Sequence, residues 1–322
     1  MTIKLLLDNL TNPALLFFGL GILSVRIKSD LEIPPDASKF ISLYLLFSIG
    51  FKGGQELEKS HVSPEVLYSI LLGVSTAILI PLYSFFILRK RLNVDDSGAI
   101  AAAYGSVSAV TFVTAGVFLE NQHIPYGGHM VAIMAMMEAP AIVVGVLLIR
   151  FFGKQNEQHA THIRKVIYHS ITNGSVLLLL GSLVIGYLAT EKQALDIKPF
   201  TTDIYKGFLA IFLLDMGIIS GRKLNDLFKA GWFTALFAVI APLLNGCLIA
   251  MVSGLLTNDV GNRFMLSILA ASASYIAVPA AMKIAVPKAN PGLFLPMALA
   301  LTFPFNITIG MPIYMEIIRH FK

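Results

Sequence analysis

Charge is scarce in this chain. Only 13% of its 322 residues are Asp, Glu, Lys or Arg, about half the share found in a soluble domain. A chain this poor in charge cannot cover a soluble fold with polar side chains, so much of its outer surface must face lipid. Cysteine is nearly absent. Cys247 stands alone inside an apolar run, which excludes an intrachain disulfide and a cysteine-built metal site. The sequence contains no GxxxxGK[ST] phosphate cradle, which leaves direct ATP drive without a motif. It has no GxSxG or HExxH either, so hydrolase chemistry has none. His123, His129 and the histidines of the central loop show no metal-ligand spacing. No clustered acid, base and nucleophile is present, and no catalytic residue is expected. The net charge of +5 does not point to nucleic acid, because the basic residues sit in short clusters between apolar runs, as membrane proteins place them.

Apolar residue types dominate instead. They make up 56% of the chain, and the mean hydropathy is +0.75. Ten apolar segments can be counted: 13–25, 40–51, 66–88, 99–119, 130–152, 176–188, 208–219, 232–256, 264–285 and 293–318. A full span needs about 20 apolar residues. The first, second, sixth and seventh fall short and must tilt, borrow polar flanks or cross where the protein is thin. Near the start, Asp8, Asn9 and Asn12 interrupt the apolar core. A cleavable leader is therefore not expected, and the first helix is expected to be retained. When the loops are assigned alternately to two sides, one side collects Arg26, Lys28, Lys39, Arg89, Lys90, Arg91, Arg150, Lys154, Arg164, Lys165, Arg222, Lys223, Lys229, Lys283 and Lys288. That is most of the 24 basic residues, so this side is expected to be cytoplasmic. Both termini would then face outward from the inner (plasma) membrane, and the long loop 153–170, with Lys154, His159, His162, Arg164, Lys165 and His169, would face inward.

Local words recur in order. Leu10-Thr11-Asn12 opens the first segment and Ile171-Thr172-Asn173 the sixth; Gly50 and Gly54 match Gly217 and Gly221; Ile100 to Ala103 matches Ile268 to Ala271; Pro125 and Pro140 match Pro291 and Pro304. Residues 1–152 and 171–322 thus read as two five-helix repeats joined by a linker at 153–170. An odd number of spans per repeat inverts one half relative to the other, an architecture common among secondary transporters. The expected fold is an all-α integral membrane protein of ten transmembrane helices in two inverted repeats, and the expected job is movement of a small solute.

The fourth and ninth segments have interiors too polar for lipid. One reads Tyr104-Gly105-Ser106-Val107-Ser108-Ala109-Val110-Thr111, the other Ser272-Ala273-Ser274-Tyr275-Ile276-Ala277-Val278-Pro279. Small residues with Gly or Pro allow a helix to break at mid-membrane, where freed backbone groups are tolerated only if they line a cavity. Half-helix N-termini would favour an anion, and freed carbonyls and hydroxyls would suit a sodium ion. Tight packing through small residues is the plainer alternative. Glu138 lies well inside the fifth span, where a carboxylate is costly unless it is paired or functional. The candidate substrate- or ion-binding residues are Gly105, Ser106, Ser108, Thr111, Glu138, Ser272, Ser274, Tyr275 and Thr302, with sodium placed at Glu138, Ser106 and Ser274. Asp215, in the seventh span, reads equally as a functional acid or as a buried partner of Lys206 or Arg222. Asn245 and Asn306 read as hydrogen bonds between helices.

At these residues the chain resembles the sodium-dependent bicarbonate transporters of cyanobacteria (the SbtA type) and their bacterial relatives. The best-matching stretches are Gly105 to Ser108 with Thr111, Glu138 to Ile142, Ile268 to Ser272 with Ser274 and Pro279, Ala289-Asn290-Pro291, and Phe303-Pro304. The resemblance covers nearly the whole chain. It implies a trimer of ten-span protomers, a core domain moving against a scaffold domain, sodium coupling, bicarbonate uptake, and a PII-like regulator on the cytoplasmic face. The chain differs from the family pattern in carrying Glu138 and Tyr275 at two aspartate positions, and Ser108-Ala109-Val110-Thr111 in place of a Ser-Gly-Ser-Thr run. Proton coupling with another small carboxylate, or anion sensing without transport, are the other functions these residues permit.

Overall fold

The computed structural model describes residues 11–59, 63–153, 168 and 172–321, without the side chains of 225–230. Regular structure among them is helical throughout. The expected linker and its histidines lie almost wholly outside the described residues. In chain order the helices are α1 (Pro13–Arg26), α2 (Pro35–Lys59), α3 (Pro64–Leu88), α4 (Val94–Gly105), α5 (Ala109–Asn121), α6 (His129–Phe152), α7 (Gly174–Leu188), α8 (Glu191–Lys198), α9 (Tyr205–Ala230), α10 (Trp232–Val252), α11 (Val260–Ala271), α12 (Ala277–Ala285) and α13 (Pro291–His320). Among the described residues six helical stretches are long and apolar enough to cross a membrane. They are α3, the run Val94–Asn121, α6, the run Glu191–Leu224, Trp232–Leu255 and α13.

The helix ends are written in the sequence. Pro13 opens α1 and Pro64 opens α3, at positions where a missing N–H costs nothing. Asn12 and Asn173 cap α1 and α7 through their side-chain oxygens, which accept from Ala14 N at 3.0 Å and Ser175 N at 2.9 Å. At α8, Thr190 and Gln193 form a reciprocal capping box. The second and seventh apolar segments prove to be the middles of helices of 25 and 26 residues. Their polar ends, such as Gln55-Glu56-Leu57-Glu58-Lys59, are good helix formers and extend the helix beyond the apolar stretch. α1 and α7 remain short at 14 and 15 residues, about 21 Å of helix against a hydrocarbon layer of about 30 Å.

Packing follows small residues. α1 lies along α9, and α2 along α7. At the first contact, a Cβ added to Gly217 would stand 3.0 Å from the Gly21 Cα; at the second, one added to Gly54 would stand 2.9 Å from the Gly186 carbonyl carbon. Only glycine lets the backbones approach so closely, and that approach supplies dispersion contact that apolar lipid cannot replace. Elsewhere α3, α4 and α6 pack together, as do α10, α11 and α13. Lipid-facing side chains ring this assembly, among them Leu16, Leu20 and Leu23 on α1 and Leu67, Leu71 and Leu79 on α3, all exposed.

α13 departs from a regular helix twice, with π-helical turns at Met297–Thr302 and Asn306–Gly310 flanking Phe303-Pro304-Phe305. Pro304 has no N–H to give, which loosens the ladder around it. Neighbouring hydroxyls occupy carbonyls nearby. Ser220 donates to the Leu299 carbonyl at 2.7 Å, and Thr308 to the Pro304 carbonyl at 2.6 Å.

Candidate functional site

Two interruptions lie at the centre of the molecule. The first separates α4 from α5 at Ser106-Val107-Ser108. The second separates α11 from α12 at 272–276. Three of the four half-length pieces start on a side-chain cap. Asn93 caps α4, accepting from Asp96 N at 2.8 Å, and Asp259 caps α11, accepting from Asn262 N at 2.7 Å. Ser108 caps α5, its hydroxyl oxygen accepting from Thr111 N at 3.1 Å. α12 has no such cap at Ile276; Ser274 Oγ accepts from Val278 N at a longer 3.4 Å. Pro279 in that first turn needs no acceptor, which lowers the demand for one.

The two interruptions are hydrogen-bonded to each other. Ser274 N donates to the Ala103 carbonyl at 2.8 Å, and Ser108 N donates to Ser272 Oγ at 3.0 Å. The Ser272 hydroxyl in turn donates to the Leu269 carbonyl at 2.9 Å. These bonds satisfy backbone groups that lipid could not. Asn306 supports them from α13, its amide donating to the Ala271 carbonyl at 2.7 Å while its oxygen accepts from Tyr314 at 3.1 Å. The Ser106 and Tyr275 hydroxyls are buried with no hydrogen-bond partner.

Beside the crossing lies a cavity of about 30 Å³, lined by Val107, Ser108, Ala109, Glu138, Ser175, Ser274, Tyr275 and Ile276 among others, with room for about two water molecules. A second of similar size adjoins it and shares Glu138 and Ser175. Glu138 makes no ion pair or hydrogen bond among the described residues. A vestibule of about 570 Å³ shares Ser175, Tyr275 and Ile276 with the inner cavity, and continues past Asp215, Ser38 and Lys39 to Glu32 and Arg222. Tyr275, stacked edge-on against Phe303 at 6.4 Å, therefore stands in the wall between the two spaces.

The opposite face has a cavity of about 480 Å³ lined by Lys52, Glu56, Glu120, Tyr126 and Lys198 among others, which shares no lining residue with the inner cavity. Glu120, at the end of α5, bridges Lys52 of α2 at 3.7 Å and Lys206 of α9 at 3.4 Å. Lys52 also lies 5.0 Å from the centre of the Tyr205 ring.

Of the residues singled out by sequence, Ser108, Glu138, Ser274 and Tyr275 meet at the inner cavity. Ser106, Thr111 and Ser272 are buried around the crossing, and Gly105 ends α4 against the ring of Pro81. Thr302 points elsewhere. Its hydroxyl lies 2.7 Å from Tyr104 Oη and donates to the Ala238 carbonyl at 2.7 Å. Asp215 makes no close ion pair with either expected partner, although the Arg222 charge still reaches it. Ser38 donates to it at 2.5 Å, while Lys206 pairs with Glu120 and Arg222 with Glu32. Asn245 accepts from Tyr83, joining α10 to α3. Ser175 was not singled out. A serine two places after a capping asparagine reads as a helix start, and only the fold brings that start to Glu138.

With this geometry in hand, the chain can be set beside known proteins. The family model of the Na+-dependent bicarbonate transporter superfamily matches residues 13–319, nearly the whole chain. No curated protein matches the sequence. The chain belongs to the Na+-dependent bicarbonate transporter superfamily and is a multi-pass membrane protein of transporter type.

Proposed function

We propose that this protein is a secondary active carrier that takes up bicarbonate, or a similarly small oxyanion, coupled to sodium and working by alternating access. The observation that carries the reading is the crossing of two interrupted helices over a cavity that holds one unpaired carboxylate, Glu138. The starts of α5 and α12 offer partial positive charge to an anion, and the carboxylate with the serine hydroxyls offers oxygen to a hard cation. Family membership supports the same substrate and the same cation. The protein is a carrier in this reading, not an enzyme.

The architecture we propose is ten spans in two inverted five-helix repeats, 1–152 and 171–322, with residues 153–170 between them. In this view the α4–α5 pair and the α11–α12 pair each count as one broken span. The packing supports it. The first span of each half lies on the second span of the other, α1 on α9 and α7 on α2, each through a glycine contact. α1, α2, α7 and α9 would then form the scaffold, and the remaining spans the moving core. The vestibule at Lys39 and Arg222 opens on the side assigned to the cytoplasm, which makes the conformation inward-open. We further propose the plasma membrane as location, extracytoplasmic termini and a homotrimer. A PII-like partner on the cytoplasmic face belongs to the same set of proposals.

The test is uptake of labelled bicarbonate into proteoliposomes under an inward sodium gradient. Accumulation above equilibrium supports the reading; tight, correctly oriented vesicles that accumulate nothing sink it. A second reading, proton coupling, is favoured by one observation. Glu138 is the sole carboxylate among the residues that line the inner cavity, with Tyr275 rather than a second acid across it. Uptake indifferent to sodium and driven by an inward proton gradient would select it. Bicarbonate binding without flux would instead select an anion sensor.

A further inference from the structure

Three helices begin at the inner cavity. α5 presents Ser108 and Ala109, α12 presents Ile276 and Ala277, and α7 presents Ser175 from its first turn. Each start carries roughly half a unit of positive charge on its N–H groups. Among the described residues no lysine or arginine lines the cavity, and Glu138 is the one formal charge that does. The Tyr275 hydroxyl, also in the wall, is buried without a partner, as is that of Ser106 next to Val107. Caps take some of these N–H donors, Ser175 N giving to Asn173 and Ser108 N to Ser272, but the three positive helix ends still stand around a single carboxylate, in a space for about two water molecules. A bicarbonate ion placed there would face the same positive helix ends as Glu138, and the two anions would repel.

Building on the transport reading above, we infer that Glu138 is the resident anion of the substrate site and that it competes with the transported anion. The coupling cation acts by neutralising Glu138. With a sodium ion or a proton on the carboxylate, the three helix starts are left to the substrate. With the carboxylate bare, its charge repels the substrate from them. Coupling then needs no contact between cation and substrate. It follows from one charge that must be cancelled before another of the same sign can enter. No bond to carbon forms or breaks; one cation adds to one carboxylate. Glu138 is on this account the residue that makes transport obligatorily coupled, and its neutral amide should free anion binding from the cation.

The experiment is bicarbonate binding to the purified full-length protein in detergent, read as a thermal shift, in choline and in sodium buffer. For the wild type, apparent affinity for bicarbonate should rise about tenfold or more when sodium replaces choline. A comparable rise on moving from alkaline to neutral pH in choline would assign the same role to a proton. Glu138→Gln should bind bicarbonate in choline as tightly as the wild type does in sodium, with no further gain from the cation. In proteoliposomes it should exchange labelled for unlabelled bicarbonate without sodium, yet fail to accumulate it. The inference falls if wild-type affinity is indifferent to both sodium and pH. It also falls if folded Glu138→Gln binds no bicarbonate in either buffer, since the carboxylate would then be a ligand and not a competitor. Should the variant fail to fold, the wild-type linkage decides alone. Failure of the transport reading looks different: the wild type would bind no bicarbonate under any cation, and both ideas would go together.

Discussion

The two interruptions do the same topological job with unequal finish. The first spans three residues, and its outgoing helix of 13 residues is capped by Ser108 at 3.1 Å. The second spans five, and its outgoing helix of 9 residues has no cap at Ile276 and only the 3.4 Å contact from Ser274. The first is shut away from the vestibule. The second lines it with Tyr275 and Ile276 while also lining the inner cavity. The difference teaches where motion should be sought. The well-capped interruption should be the stiffer half of the crossing, and the poorly capped one the half that can shift relative to it without losing much hydrogen bonding.

Substitutions at the crossing can break this comparison. Ser272→Ala should have the largest effect on stability. It strips the acceptor from the buried Ser108 N and one of two donors from the Leu269 carbonyl, which keeps Ser272 N at 3.4 Å. A buried group left unpaired costs about 1–3 kcal/mol, so the unfolding midpoint in detergent should fall clearly. A midpoint within error of the wild type would mean that the two interruptions do not depend on each other. Next is Ser108→Ala, which removes the α5 cap at about 1 kcal/mol, with the neutral capping variant Ser108→Asn restoring most of it. Ser274→Ala removes only the long contact to Val278 N and should cost under about 0.5 kcal/mol, half or less of the Ser108 effect. If Ser274→Ala proved as damaging as Ser108→Ala, the second interruption would be as rigid as the first.

How much of this was legible beforehand varies from residue to residue. The interruptions were, because runs such as Tyr104-Gly105-Ser106-Val107-Ser108 and Ser272-Ala273-Ser274 are too small and too polar to be covered by lipid. Glu138 stood out because a carboxylate inside an apolar span has few benign explanations, and the fold places it at the inner cavity. The glycine contacts were half legible: the repeat flagged Gly54 and Gly217, but not their partners Gly186 and Gly21, nor that each pair joins one half of the chain to the other. Thr302 was not legible, since a helical threonine can face a cavity or a neighbouring carbonyl and the spacing is the same for both. Asp215 waited on Ser38, 177 residues away. The π-helical turns of α13 depend on where Pro304 meets its neighbours and leave no periodic trace. Ser175 required three helix starts to converge, which is a property of tertiary packing alone.

The smallest expected effect concerns the two mouths. The vestibule reaches Tyr275, whereas on the other face Glu120 ties α5 to both α2 and α9 through Lys52 and Lys206. If α2 and α9 belong to the scaffold and α5 to the moving core, those ion pairs must part each time the outer mouth opens. All three side chains are partly exposed, so the pair energies are screened and together amount to less than about 1 kcal/mol. Glu120→Gln should therefore leave the unfolding midpoint unchanged while shifting the balance of open states by at most about fivefold towards the outer-open form. A single cysteine at Ala109, in a Cys247→Ser background, would report this as faster labelling from the terminal side and slower labelling from the vestibule. The same shift should appear on raising salt with the wild type, because screening weakens the pairs as the substitution does. Equal labelling from both faces in Glu120→Gln and wild type would show that the ion pairs do not hold the outer mouth shut. The work of closing it would then fall to the apolar contact of Tyr126 with Phe112, whose rings meet edge to face at 6.1 Å.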